Sequence, residues 1–371
     1  MSTKIPSASL PPPSEMVAHT LHSCLPALGE VVDIFPLAGD ASNRRYFRIV
    51  LTGGSVDSII LMQLADPEGF KASEEAVSPG APVSTELPFV NVLTYLQQVG
   101  VAVPQLYFFD EDKGLLYLED FGDVTLYYKI SSINSQPQRS QLYVQAIDAL
   151  TTMHLSTQTG SDSHCLAFSR VFDVSLLMWE FEHFWEYGVA ARQPDGLKEE
   201  HHQVYQAECH KIAEWLAAQP QVFTHRDYHS RNLMVIEGGL GILDFQDALL
   251  GPATYDLASL LRDSYVELED PVIDEMLDRY RARMCEGLNR EIQEHMGLSD
   301  STMFRKLFDF TSLQRNLKAA GRFVYIDRVK GNPAFLKDIP RTLGYVRTNL
   351  EKYSELAALH SVFASCVPEF Q

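Results

Sequence analysis

The alternation of apolar and polar positions divides the chain into a strand-rich first third and a helical remainder. Period-two runs rich in β-branched and aromatic residues predict strands over 31–37, 46–51 and 58–64. A helix of modest periodicity is expected at 16–28, and residues 1–15, rich in Ser and Pro, read as a flexible leader. Between the first two strands lies Gly39-Asp40-Ala41-Ser42-Asn43-Arg44-Arg45, small and polar, then basic. The stretch 66–88 holds four Pro and almost no apolar periodicity, the signature of a long surface loop. Val92, Leu93 and Leu96 then recur at helical spacing within 89–99, with Gly100 placed as a C-cap. Strands at 106–109 and 115–118 flank the acidic turn 110–114, which lacks the later ligands of a calcium loop and reads as a solvated turn.

From Glu119 the period changes, and helices are predicted at 141–154, 176–187, 201–218, 271–288, 301–319 and 340–358. The exception is 222–245, where short strands at 233–236 and 240–243 surround Glu237-Gly238-Gly239, a tight hairpin. There is no internal repeat. The pattern is that of an α+β protein with a small β-rich N-lobe and a larger helical C-lobe, and a cleft between lobes is where a ligand is expected. The expected divisions are the leader 1–15, an N-terminal lobe 16–118 and a C-terminal lobe 119–371.

Composition narrows the function. The chain has 371 residues, with 30 Lys+Arg against 49 Asp+Glu, a formal charge of −19. That balance argues against a nucleic-acid platform or an anionic-membrane binder, both of which need a basic face. The five cysteines include no C-x-x-C pair, and their odd number suits unpaired thiols in a reducing compartment. No uninterrupted apolar run approaches the roughly 18 residues of a spanning helix. The first fifteen residues lack the apolar core of a signal peptide. A cytoplasmic location is expected, with no membrane association and no obligate protein partner indicated.

The candidate chemistry lies in Phe223-Thr224-His225-Arg226-Asp227-Tyr228-His229-Ser230-Arg231-Asn232, followed by Ile242-Leu243-Asp244-Phe245-Gln246-Asp247. This spacing puts Asp227 in a loop between strands, Asn232 at the start of the next strand and Asp244 at the end of the one after. A carboxylate and an amide at neighbouring strand ends make a hard-oxygen magnesium site, which keeps waters and needs phosphate oxygens to complete it. The remaining carboxylate, Asp227, is free to receive a proton. That division of labour is the H-x-D-x-x-x-x-N and D-F-x arrangement of eukaryotic-like kinases. His225 reads as a residue that pins the loop by hydrogen bonding.

Here the sequence resembles the aminoglycoside phosphotransferase superfamily, relatives of the choline and protein kinases. The residues that carry the likeness are Ile242 to Ala248 and Gly251-Pro252-Ala253-Thr254-Tyr255-Asp256-Leu257-Ala258. Within that superfamily, residues 39–48, the loop His225 to Asn232, and Gln314-Arg315-Asn316-Leu317-Lys318 are similar to the anomeric N-acetylmuramate/N-acetylglucosamine kinases of Gram-negative cell-wall recycling. The resemblance implies a two-lobed protein-kinase-like fold. It also implies ATP and Mg²⁺, an amino-sugar substrate, and a sugar 1-phosphate as product. By the same likeness Asp256 braces the catalytic loop from a helix N-terminus. Gly39, Asp40, Ala41, Ser42 and Asn43, with Arg44, cover the nucleotide phosphates, and Glu119 and Asp120 fall at the adenine-binding hinge.

Two departures qualify the likeness. The strand at 58–64 lacks the lysine that kinases aim at the α- and β-phosphates, leaving Arg44, Arg45 and Arg48 as the nearest cations. Gln246 stands where D-F-G has glycine. For the acceptor, the run Trp179 to Trp185 on one helix, and Gln314, Arg315 and Lys318 on another, carry groups that stack on or hydrogen-bond sugars. The lactyl carboxylate of N-acetylmuramate requires a local cation, with Arg315, Arg262 and Lys318 as candidates. An anomeric hydroxyl is a comparatively good proton donor, so a carboxylate near its ordinary pKa suffices as base. A kinase for a cationic acceptor such as an aminoglycoside or choline, and a binding-only pseudokinase, are the alternatives.

Overall fold

The computed structural model describes residues 12–37, 44–64, 86–159, 164–192 and 197–370. The chain divides into two compact units, residues 1–77 with 104–122, and residues 78–103 with 123–371. The expected leader and the loop 66–88 fall largely outside the described residues, and so does the glycine-bearing turn 39–43.

The first unit is built on helix α1 (Ser14–Cys24) and five strands: β1 (Glu30–Pro36), β2 (Arg45–Thr52), β3 (Ser58–Gln63), β4 (Leu106–Asp110) and β5 (Leu115–Glu119). These form an antiparallel sheet in the order β1-β2-β3-β5-β4. Period-two alternation sends Phe47, Ile49 and Leu51 of β2 and Ile59 and Leu61 of β3 to one face, where Val17 and Leu21 of α1 cover them. Arg48 points the other way. Its guanidinium makes a two-pronged contact with Asp120, Nε to Oδ2 at 2.5 Å and Nη2 to Oδ1 at 3.0 Å.

The second unit is mostly helical. Helix α2 (Pro88–Gln98) belongs to it, followed by α3 (Leu126–Ser132), α4 (Gln136–Thr159), α5 (Val174–His183) and α6 (Glu199–Ala217). Short strands β6 (Gln221–Thr224), β7 (Leu233–Ile236), β8 (Gly239–Ile242) and β9 (Leu249–Pro252) come next. Then follow α7 (Thr254–Leu261), α8 (Asp270–Gly287), α9 (Arg290–His295), α10 (Ser301–Lys330), α11 (Ile339–Lys352) and α12 (Ala357–Cys366). Strands β7 and β8 pair from Leu233↔Ile242 to Ile236↔Gly239, so the hairpin turn is Glu237-Gly238, and Gly238 supplies the positive φ that such a turn requires.

Helix α10 runs 30 residues, eleven past the expected end at 319. Gly321 does not break it. A Cβ there would lie 2.7 Å from the Phe184 Cα, so the glycine lets two backbones cross closely. The helix stops at Gly331, whose φ of 70° is a left-handed cap. Helix α5 also continues, through a π-helical segment Phe184–Ala190. The single helix expected at 340–358 is instead α11 and α12, parted by a turn at Ser354–Leu356.

Candidate active site

The loop from His225 to Asn232 leaves β6 and enters β7, and its shape is imposed by buried polar contacts. Asp256, fully buried in the first turn of α7, accepts the backbone N–H of His225 at 2.7 Å through Oδ2 and that of Arg226 at 2.9 Å through Oδ1. Arg226 thereby holds a φ of 76°, a left-handed conformation that a non-glycine residue adopts only when its surroundings over-determine it. Ser259, one turn along α7, donates to the Arg226 carbonyl at 3.1 Å. The His225 ring links both ends of the motif. Its Nε2 donates to the Leu243 carbonyl at 2.8 Å, and its Nδ1 accepts the Asp227 N–H at 3.3 Å. His225 is buried, and these two contacts brace the loop against the strand end. Downstream, Asp263 accepts from both the Ser230 backbone N–H (3.0 Å) and hydroxyl (2.5 Å).

Asp227 projects from this frame with its side chain 39% exposed. Asn232 Nδ2 donates to the Asp227 carbonyl at 3.0 Å and lies 3.4 Å from Asp244 Oδ2, so loop, strand start and strand end converge. Asp244 is exposed and also left-handed, with a φ of 64°. Gln246, in the position of the kinase glycine, donates to Asp244 Oδ1 at 2.8 Å, while Phe245 is buried against Phe89 with ring centroids 5.2 Å apart. The segment is thus tied down at both residues after Asp244. Among the described residues no three His, Cys, Asp or Glu side chains cluster as metal ligands. The carboxylate of Asp244 and the amide of Asn232 are nonetheless hard-oxygen donors of the kind that fit Mg²⁺ when phosphate and water supply the rest. Beside them the buried Gln246 Oε1 has no hydrogen-bond partner among the described residues.

Cations crowd Asp227. Arg315 of α10 lies 3.7 Å from Asp227 Oδ1 and also donates through Nε to the Ser259 hydroxyl. Burial opposes ionisation of Asp227, but Lys318, Arg315, His229 and Arg226 outweigh it and hold the carboxyl well below its usual range. This corrects the expectation of a base near its ordinary pKa.

Glu180, on the apolar stripe of α5 with Leu176, Leu177 and Phe181, was not foreseen as part of the site. Fully buried, it accepts from Arg226 at 3.0 Å and from Gln314 at 2.8 Å, and lies 3.7 Å from Lys318. Burial raises its pKa, yet Lys318, Arg226 and Gln314 more than compensate and it stays ionised. The signal was in the sequence: a carboxylate at a core-facing position of an apolar helix must have partners. Arg315 and Lys318 are therefore brought to Asp227, while Gln314 and Lys318 are held by Glu180.

Trp185 is not brought to Asp227. Its indole is buried, stacked on His202 at 4.8 Å and tilted against Tyr205 at 4.9 Å, so it belongs to the packing of the π-helical segment on α6. Arg262, another expected anion partner, is committed to Asp270 at 2.5 Å and to the Tyr345 ring. In the first unit Arg48 and Ser58 both hold Asp120, whose Oδ1 also accepts the Gly122 N–H at 2.8 Å. The Glu119 N–H donates to the Gln105 carbonyl at 2.8 Å. Arg44 is buried and Arg45 exposed, while residues 39–43 lie outside the described residues.

Comparison with known proteins gives the family and the fold. Residues 33–291 match the Phosphotransferase enzyme family. The chain is 32% identical over 337 residues to an N-acetylmuramate/N-acetylglucosamine kinase of Neisseria meningitidis serogroup B, covering 90% of this chain and 91% of the relative. It is 32% identical over 353 residues to a protein of the same name from Pseudomonas aeruginosa, covering 93% and 94%. Among solved structures, a choline kinase from Cryptosporidium parvum Iowa II superposes with a TM-score of 0.61 at 12% identity, over 93% of this chain and 98% of that one. The fold is protein-kinase-like, and the chain belongs to the phosphotransferase enzyme family, as a kinase.

Proposed function

We propose that this chain is an ATP-dependent, Mg²⁺-requiring kinase that phosphorylates the anomeric hydroxyl of N-acetylmuramate and N-acetylglucosamine, in the cytoplasm and in cell-wall recycling. The observation that carries the reading is the ionised, half-exposed Asp227 set among Arg315, Lys318 and the Asn232–Asp244 pair, in a chain alike over nine-tenths of its length to two such kinases.

In this reading Asp227 accepts a hydrogen bond from the acceptor hydroxyl and aligns its oxygen for in-line attack on the γ-phosphoryl group. A carboxylate with a depressed pKa is a weak base, so the proton passes to it only as the new O–P bond forms. An anomeric hydroxyl, more acidic than other sugar hydroxyls, suits such a base. Asn232 and Asp244 hold the metal, which when bound neutralises charge on the transferring phosphoryl group. Arg315 keeps Asp227 ionised and in place, and Asp256 and His225 fix the loop. Residues 39–43, with Arg44, Glu119 and Asp120, are the proposed nucleotide contacts. The two cations beside Asp227 disfavour a cationic acceptor, which is why the aminoglycoside or choline reading takes second place.

The test is purified protein with ATP and Mg²⁺ against N-acetylmuramate, N-acetylglucosamine, kanamycin and choline, with products examined by phosphorus NMR. A sugar 1-phosphate is expected. Phosphate on another hydroxyl, or on a cationic acceptor alone, rejects the function.

A further inference from the structure

We propose that Arg322, with Trp179 and His183, forms an anion-reading subsite that recognises an acidic substituent on the sugar acceptor and so distinguishes a carboxylate-bearing amino sugar from a neutral one. The proposal rests on the sugar-kinase reading above.

It starts from a register on α10. Arg315, Lys318 and Arg322 recur at i, i+3 and i+7, so all three share one helix face. The first two are committed, Arg315 to Ser259 and Asp227, Lys318 to Glu180. Several buried and half-buried arginines of this unit have carboxylate partners: Arg226 has Glu180, Arg262 has Asp270, and Arg305 has Asp270, Asp274 and Asp309. Of others without a carboxylate, Arg139, Arg341 and Arg347 donate to backbone carbonyls, and Arg231 lies over both the Tyr127 and Tyr265 rings. Arg322 has neither arrangement. Half-buried, it lies over the Tyr325 ring at 4.9 Å and makes no ion pair or hydrogen bond with another described residue. On a chain with 49 acidic residues, a partly desolvated guanidinium left without a carboxylate is a place for an anion that arrives from outside.

The neighbours suit a sugar acid. Trp179 and His183, one turn apart on α5, stack with centroids 5.5 Å apart at 16°, and His183 also packs on Tyr187 (4.8 Å) and Tyr325 (5.4 Å). Trp179 is 51% exposed, so its indole offers apolar area to a ring. The buried His183 Nε2 has no hydrogen-bond partner among the described residues. Burial and then the Arg322 charge lower the His183 pKa to about 4, so its ring is neutral near pH 7 and does not add to the positive charge. Arg322 lies two turns from Arg315, about 10 Å along the helix. A pyranose with its anomeric hydroxyl at Asp227 and an acidic arm on the far side of the ring spans such a gap. A neutral sugar reaches the platform without engaging the guanidinium.

The test compares wild type, Arg322→Gln and Arg322→Lys on N-acetylmuramate and N-acetylglucosamine, with Arg328→Gln as a surface control. Arg322→Gln should lower the ratio of kcat/KM for N-acetylmuramate over N-acetylglucosamine by about 10- to 100-fold, through KM, as expected for loss of a charge-assisted contact. Arg322→Lys should recover part of the ratio, and Arg328→Gln should leave it unchanged. Retained turnover of N-acetylglucosamine shows that the variant is folded. An unchanged ratio, or an equal loss on both sugars, overturns this inference alone. Wild type that phosphorylates neither sugar overturns the function reading itself.

Discussion

Replacing Asp256 with Asn asks whether the catalytic loop is held by one buried carboxylate. Both of its oxygens accept backbone N–H groups, from His225 at 2.7 Å and Arg226 at 2.9 Å, and His154 Nε2 lies 3.6 Å away. An Asn amide keeps one acceptor but turns an NH₂ towards the other N–H. The buried donor left unpaired costs about 1–3 kcal/mol, and the surviving bond, now to a neutral acceptor, loses about 1 kcal/mol more. The expected destabilisation is therefore about 2–4 kcal/mol, read as the change in unfolding free energy in urea. Function should fall further than stability requires, because Arg226 relaxes from its left-handed backbone and carries Asp227 with it. A displacement of about 1 Å there costs about 100-fold in kcat. Loss of less than about 0.5 kcal/mol, the range of an inert surface change, together with unaltered kcat, would refute the assigned bracing role.

Trp185→Phe should lower stability by about 1–3 kcal/mol, by leaving a cavity beside His202 and Tyr205, with KM for the sugar unchanged. A raised KM with unchanged stability would return Trp185 to the acceptor site. The pH dependence of stability should carry a His183 component. Its folded pKa of about 4 lies below the ordinary 6.5, so between these values the unfolded chain binds more protons and stability falls as pH is lowered. The urea midpoint should therefore drop from pH 7 to pH 5 by less in His183→Gln than in wild type, and equal drops would contradict this.

The convergence of Asp227, Asn232 and Asp244 was legible because it is local. Asp227, Asn232 and Asp244 are fixed by loop length and a two-residue hairpin turn, both readable from spacing and from Gly238. Expected and observed strand β8 differ by one residue, since Gly239 pairs with Ile236 rather than belonging to the turn. What failed to show was non-local. The helix expected to end at 319 runs on past Gly321, which serves the close approach of α10 to Phe184. Trp185 and Trp179 looked equivalent in an aromatic run, but the π-helical segment buries the first while the second, on α5, stays exposed. Glu180 joins Arg226, Gln314 and Lys318 from three separate chain segments, and no spacing rule encodes that meeting. The low pKa of Asp227 has the same origin, since Lys318 and Arg315 reach it from a helix some 90 residues downstream.

The central claim is that Asp227 receives the acceptor hydroxyl, and the most direct measurement is turnover of N-acetylglucosamine by Asp227→Asn, at saturating ATP and Mg²⁺, beside its urea unfolding midpoint. The account predicts an unchanged midpoint and a kcat lower by about 10²–10⁴-fold. A kcat within about tenfold of wild type, in a variant that folds normally, would contradict it.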